Sequence, residues 1–175
     1  MAQGVRLSVF ETSRQLGRIP VIAVRGENGV EQTAFLKKLL AHASMRDSVV
    51  LTDSVHRDVA LGFDRIETFV WAPAASAEGC LCCGLNSGLG DALRSLFLRV
   101  LTKRAKPIDR VFIDAASLAV EQIAFTLKHA PFLGQRYLYQ ATLTVTGQWI
   151  VMANQVGAGC GQGCDFDENN ILKLI

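Results

Sequence analysis

The chain has 175 residues, with 18 Lys+Arg against 16 Asp+Glu and a formal net charge of +2, so its charge balance carries no signal for nucleic acid. Half of the residues are apolar and 19% are charged, which excludes a disordered chain and allows one well-buried core. Mean hydropathy is +0.25, yet every apolar run is broken by charge, glycine or polar residues before it could span a bilayer. The opening MAQGVRLSVFETSRQ lacks the apolar centre of a secretory signal, so the expectation is a cytoplasmic protein with reduced thiols and no membrane partner. Arg94, Arg99, Lys103, Arg104 and Lys106 form a basic stretch that reads as a solvated helix face, not as a nucleic-acid contact.

The first predicted element is a buried strand, Ile19 to Val24 (IPVIAV), followed by a glycine-bearing loop. Phe35, Leu36, Leu39 and Leu40 then recur at helical spacing through about residues 33–43. Ser48 to Thr52 (SVVLT) and Ile66 to Trp71 (IETFVW) read as the second and third strands. A helix is expected over 89–103, with Leu89, Leu93, Leu96, Phe97, Val100 and Leu101 as its inner stripe. Arg110 to Asp114 (RVFID) is a strand, and 118–129 a helix with Val120, Ile123, Ala124 and Leu127 inward, stopped by Pro131. Ala141 to Thr146 and Trp149 to Ala153 are the last strands. Strands alternating with helices predict an α/β fold: a three-layer sandwich with a mostly parallel sheet and helices on both faces. Residues 1–155 form this domain, and 156–175 a tail that is rich in glycine and cysteine, then acidic, then briefly apolar.

Two segments carry chemistry. GENGVEQT, Gly26 to Thr33, lies between the first strand and first helix, where a phosphate-binding loop of the form G-x-x-x-x-G-K-[ST] would lie. Gly26, Gly29, Gln32, Thr33 and Ala34 are its candidate nucleotide-contacting residues. Gly26 fills the first glycine position and Thr33 the Mg²⁺ hydroxyl position, but Glu31 replaces the second glycine and Gln32 the lysine. Like charges a few ångströms apart cost about 1–4 kcal/mol, and a lost charge-assisted phosphate contact a further ~1.5–3 kcal/mol. GTP and Mg²⁺ are therefore expected not to bind. The bland alternative is an ordinary strand–turn–helix corner.

The second segment is GCLCCGL, Gly79 to Leu85. Cys80, Cys82 and Cys83 form a compact set of soft ligands suited to zinc or another soft divalent metal. A fourth ligand must come from elsewhere; Cys160 and Cys164 in the tail are candidates, as are Asp53, His56 and Asp64. The alternative is a set of inert buried thiols.

The ordered motifs resemble the CobW-type metallochaperone GTPases, relatives of the UreG and HypB nickel-insertion GTPases, over about residues 19–146. IPVIAVRGENGVEQTAFLKKLLAH is similar to that family's opening strand, phosphate loop and first helix, EGCLCCGLNSGLGDALRSL to its cysteine motif, and DRVFIDAASLA to its Walker-B strand. The resemblance implies metal binding by Cys80, Cys82 and Cys83. It also implies that Asp114 stands for the family's acidic residue and would be the catalytic one if the site hydrolysed GTP. Ser117 takes the place of a glycine, and Asp53 falls near a polar residue after the second strand. The guanine-reading motif is reduced to NQVG, Asn154 to Gly157. The chain stops where the family continues, so a shortened member, natural or a piece of a longer chain, is expected. Three readings follow: a metal-binding paralogue with a degenerate nucleotide site that regulates or scaffolds a protein client in metal trafficking; an active GTPase using Arg25 or Lys37 as the missing cation; or an interaction protein that covers its sheet edge with a partner or a second copy of itself.

Overall fold

A computed structural model of the protein describes residues 17–26, 29–52, 65–69, 88–114 and 120–146, together with the backbone of 149–154. Six strands form one sheet: β1 (Ile19–Gly26), β2 (Ser48–Thr52), β3 (Ile66–Thr68), β4 (Arg110–Asp114), β5 (Tyr137–Thr146) and β6 (Trp149–Asn154). Their order is β3-β2-β4-β1-β5-β6. The first five are parallel, and β6 closes the edge antiparallel to β5. The helices are α1 (Gly29–Ala41), α2 (Gly88–Leu101), α3 (Val120–His129) and α4 (Pro131–Arg136).

Alternation along each strand sorts the core into two layers. Ile22 and Val24 of β1, Val50 of β2, Phe112 of β4 and Leu143 and Val145 of β5 face α1, whose Phe35, Leu36, Leu39 and Leu40 are all buried. Val21, Ala23, Val49, Leu51, Val111 and Ile113 face the other way, onto Leu89, Leu93 and Leu96 of α2, Ile123 and Leu127 of α3 and Leu133 of α4. Full burial of each such aliphatic side chain stabilises by about 1.5–3 kcal/mol. The chain is thus the expected α/β sandwich, with a mostly parallel sheet between helical layers.

The boundaries differ from the sequence reading where local signals compete. Helix α1 starts at Gly29, four residues earlier than expected. Helix α2 ends at Leu101, because Lys103 takes a left-handed conformation (φ 58°) and the Lys103 and Arg104 amides bond back to Val100 and Arg99. Leu101 is therefore 65% exposed instead of inward, while Phe97 is half-buried. Pro131 does not merely stop α3. It opens α4, where its missing N–H costs nothing in the first turn. Gly134 fits there because an added Cβ would lie 3.0 Å from the Leu127 carbonyl oxygen. Strand β5 begins at Tyr137, four residues before the predicted start, and the register across β1 skips Gln140, a bulge between Tyr139 and Ala141. Within the described residues β3 stops at Thr68, short of the expected Trp71.

Candidate functional site

The carboxyl ends of β2, β4 and β1 lie side by side, and register puts Thr52 opposite Asp114 and Asp114 opposite Val24. Three polar side chains meet on this row. Thr52 and Asp114 are both fully buried, and Gln32, from the first turns of α1, is 1% exposed. Thr52 Oγ1 donates to Asp114 Oδ2 at 3.0 Å. Gln32 Nε2 donates to Asp114 Oδ1 and, at 2.8 Å, to the Val24 carbonyl oxygen. Gln32 Oε1 in turn accepts the Gly26 N–H at 3.1 Å. The amide uses both donors and its acceptor inside the protein, which is what burial of a polar side chain requires.

Helix geometry explains why Gln32 turns inward. Phe35, Leu36, Leu39 and Leu40 follow it by three, four, seven and eight residues, so it occupies the same buried stripe. At about 100° per residue, Lys37 falls roughly 140° away around the helix. Lys37 is exposed, as is Arg25.

Measured against a phosphate loop, this corner is altered in three ways. Only positions 27 and 28 separate β1 from α1, because Gly29, Val30 and Glu31 are already helical. A long loop of converging amides is thus replaced by helix. The Gly26 N–H, the first amide such a loop would offer, is taken by Gln32. The Thr33 hydroxyl donates to the Gly29 carbonyl oxygen of its own helix at 2.7 Å. Ala34 is exposed on α1 beyond the corner. Of the predicted residues, the structure brings Gln32, Gly26 and Asp114 together. Thr52, which completes the row, was not among the sequence candidates; strand pairing, not any sequence signal, puts it level with Asp114.

Cys80, Cys82, Cys83, Cys160 and Cys164 lie outside the described residues, as do Glu27, Asp53, His56, Asp64 and Ser117. Among the described residues there is no group of three or more His, Cys, Asp or Glu that could hold a metal ion. Among them, too, no helix is long and apolar enough to cross a membrane. No protein-family model, curated protein or solved structure matches this chain.

Proposed function

We propose that this chain is a CobW-like metal-binding protein that holds zinc, or another soft divalent ion, through Cys80, Cys82 and Cys83 and does not turn over nucleotide. It acts in the cytoplasm as a regulator or scaffold for a protein client in metal trafficking. The observation that supports the non-hydrolysing half is the buried bonding of Gln32. Where a phosphate loop has a cation aimed at the outer phosphates, this chain has a neutral amide whose donors are spent on Asp114 and Val24. Asp114, in turn, is bonded to Thr52 and Gln32 inside the core.

The metal half rests on the chemistry of the donor set. Three thiols within four residues, flanked by Gly79 and Gly84, supply soft anionic ligands for a borderline-soft ion once deprotonated. Protein purified without chelator is expected to carry about one zinc per chain by elemental analysis, and Cys82→Ser to lose it. Metal-free protein, or zinc retained at the same stoichiometry in Cys82→Ser, would contradict the assignment.

A further inference from the structure

Helix α2 is apolar over more of its circumference than its buried stripe requires. Leu89, Leu93 and Leu96 face the core and are at most 1% exposed. Beside that stripe lies Phe97, half-buried. One turn further on, Leu101 is 65% exposed, and Leu98, farther round the helix, is 45% exposed. Helix α4 extends this surface. Its Phe132 meets Phe97 edge to face, with ring centroids 5.5 Å apart, and the Arg136 guanidinium lies over the Phe97 ring at 5.2 Å from its centre. Two exposed leucines and two half-buried rings, drawn from two helices, make a contiguous patch, unlike apolar residues scattered singly.

The rim of the patch is basic. Arg94, Lys103, Arg104 and Arg136 are all exposed. Residues 88–106 contain one carboxylate, Asp91, and α4 contains none. Asp91 lies 3.5 Å from Arg94, both open to solvent, so it offsets that charge only weakly. The frame is also fixed. Lys103 closes α2 in a left-handed turn, and the Arg104 and Ala105 amides bond to the Arg99 carbonyl oxygen at 2.8 and 3.0 Å. A surface already held in place loses little freedom on binding.

We propose that this α2–α4 face docks an acidic amphipathic helix of a partner protein. Its apolar stripe packs on Phe97, Leu98, Leu101 and Phe132, and its carboxylates meet Arg94, Arg136 and the basic end of α2. Apolar anchors ringed by arginine suit a protein interface. Two leucines and two ring edges are too little to hold the chain on a bilayer, where even a myristoyl chain binds marginally. Peptide binding here and zinc at the cysteines can each fail without the other.

The probe is a fluorescein-labelled peptide of about 18 residues, with leucine at helical spacing and glutamate on the flanks; the control peptide has lysine for glutamate. Anisotropy is expected to give a Kd on the order of 100 μM for the acidic peptide, weakening severalfold between about 50 and 500 mM salt. Leu98→Glu and Leu101→Glu, both exposed sites whose change leaves the core intact, are each expected to weaken binding about tenfold. Val30→Glu makes the same change in charge at an 80% exposed site on α1, across the sheet, and is expected to bind as wild type does. Equal binding of the lysine peptide, wild-type affinity in both leucine variants, or an equal loss in Val30→Glu would each overturn the proposal. So would phosphatidylserine vesicles that bind the protein when the acidic peptide does not, which would give the face to a bilayer. A concentration-dependent mass that Leu101→Glu abolishes would overturn it too, by giving the face to a second copy of the chain.

Discussion

Gln32→Glu isolates the polarity of the buried corner, because the two side chains share a shape. In the native protein the amide donates to both Asp114 Oδ1 and the Val24 carbonyl. A carboxylate there would face a second carboxylate and a carbonyl with nothing to donate. At about 3 Å and an effective dielectric near 20, the charge pair alone costs about 5 kcal/mol. Taking up a proton is cheaper. Holding a carboxyl of ordinary pKa near 4.3 neutral at pH 7 costs about 3.7 kcal/mol, and the missing second donor adds about 1 kcal/mol. The cheaper route wins, giving a loss of about 4–5 kcal/mol at pH 7.

The sign follows from linkage. The introduced carboxyl has a raised pKa in the folded state, so its penalty is small below about pH 4 and grows by up to about 1.4 kcal/mol per pH unit above it, until the folded group ionises. Urea unfolding of wild type and variant at matched pH values between about 4.5 and 7.5 measures it. In thermal melts the neutral-pH loss corresponds to roughly 10–18 °C for a chain of this size. A penalty below about 1 kcal/mol that does not change with pH would mean that Gln32 does not lie against Asp114.

Thr52→Val keeps the shape of the side chain and removes the hydroxyl that donates to Asp114 Oδ2 at 3.0 Å. A buried carboxylate short of one donor is expected to lower urea-measured stability by about 1.5–3 kcal/mol. Tyr137 is 1% exposed and its hydroxyl donates to the Leu93 carbonyl oxygen at 2.8 Å; burial raises its pKa above the ordinary phenol value, with Glu67 adding to the rise. Burial also raises Tyr139. Above about pH 10 the unfolded chain therefore ionises before the folded one, and stability falls as pH rises. Tyr137→Phe is expected to flatten that alkaline fall while costing about 0.5–1.5 kcal/mol at neutral pH, read from melts on either side of pH 10 and from the phenolate absorbance titration.

The helices and strands were legible wherever an apolar pattern was unbroken. IPVIAV, SVVLT and RVFID are all strands, and the stripe Phe35, Leu36, Leu39, Leu40 is buried as its spacing dictates. Legibility failed where one residue type carries two messages. Pro131 reads as a helix breaker, yet it starts α4. Gln140 interrupts the apolar alternation of YLYQAT, so the predicted strand began after it, whereas β5 absorbs it as a bulge.

Gln32 is the instructive residue at the candidate site. Motif alignment placed it facing phosphate, by analogy with the lysine it replaces. The helical pattern was read only from residue 33, so Gln32 fell outside it; in the structure it lies three residues before Phe35 on the buried stripe, a neutral amide with good partners. The row of Val24, Asp114 and Thr52 could not be read from the sequence, because strand adjacency depends on how distant segments pair.

Calorimetric titration of Mg²⁺·GTP into the wild-type protein tests most directly whether this corner has given up triphosphate, with Gln32→Lys as the control. An ammonium at that position would be drawn to the buried Asp114, and the short joint between β1 and α1 would remain. Both proteins are expected to show dissociation constants weaker than about 1 mM. A micromolar constant for the wild type, lost when Gly26 or Thr33 is altered, would contradict the account.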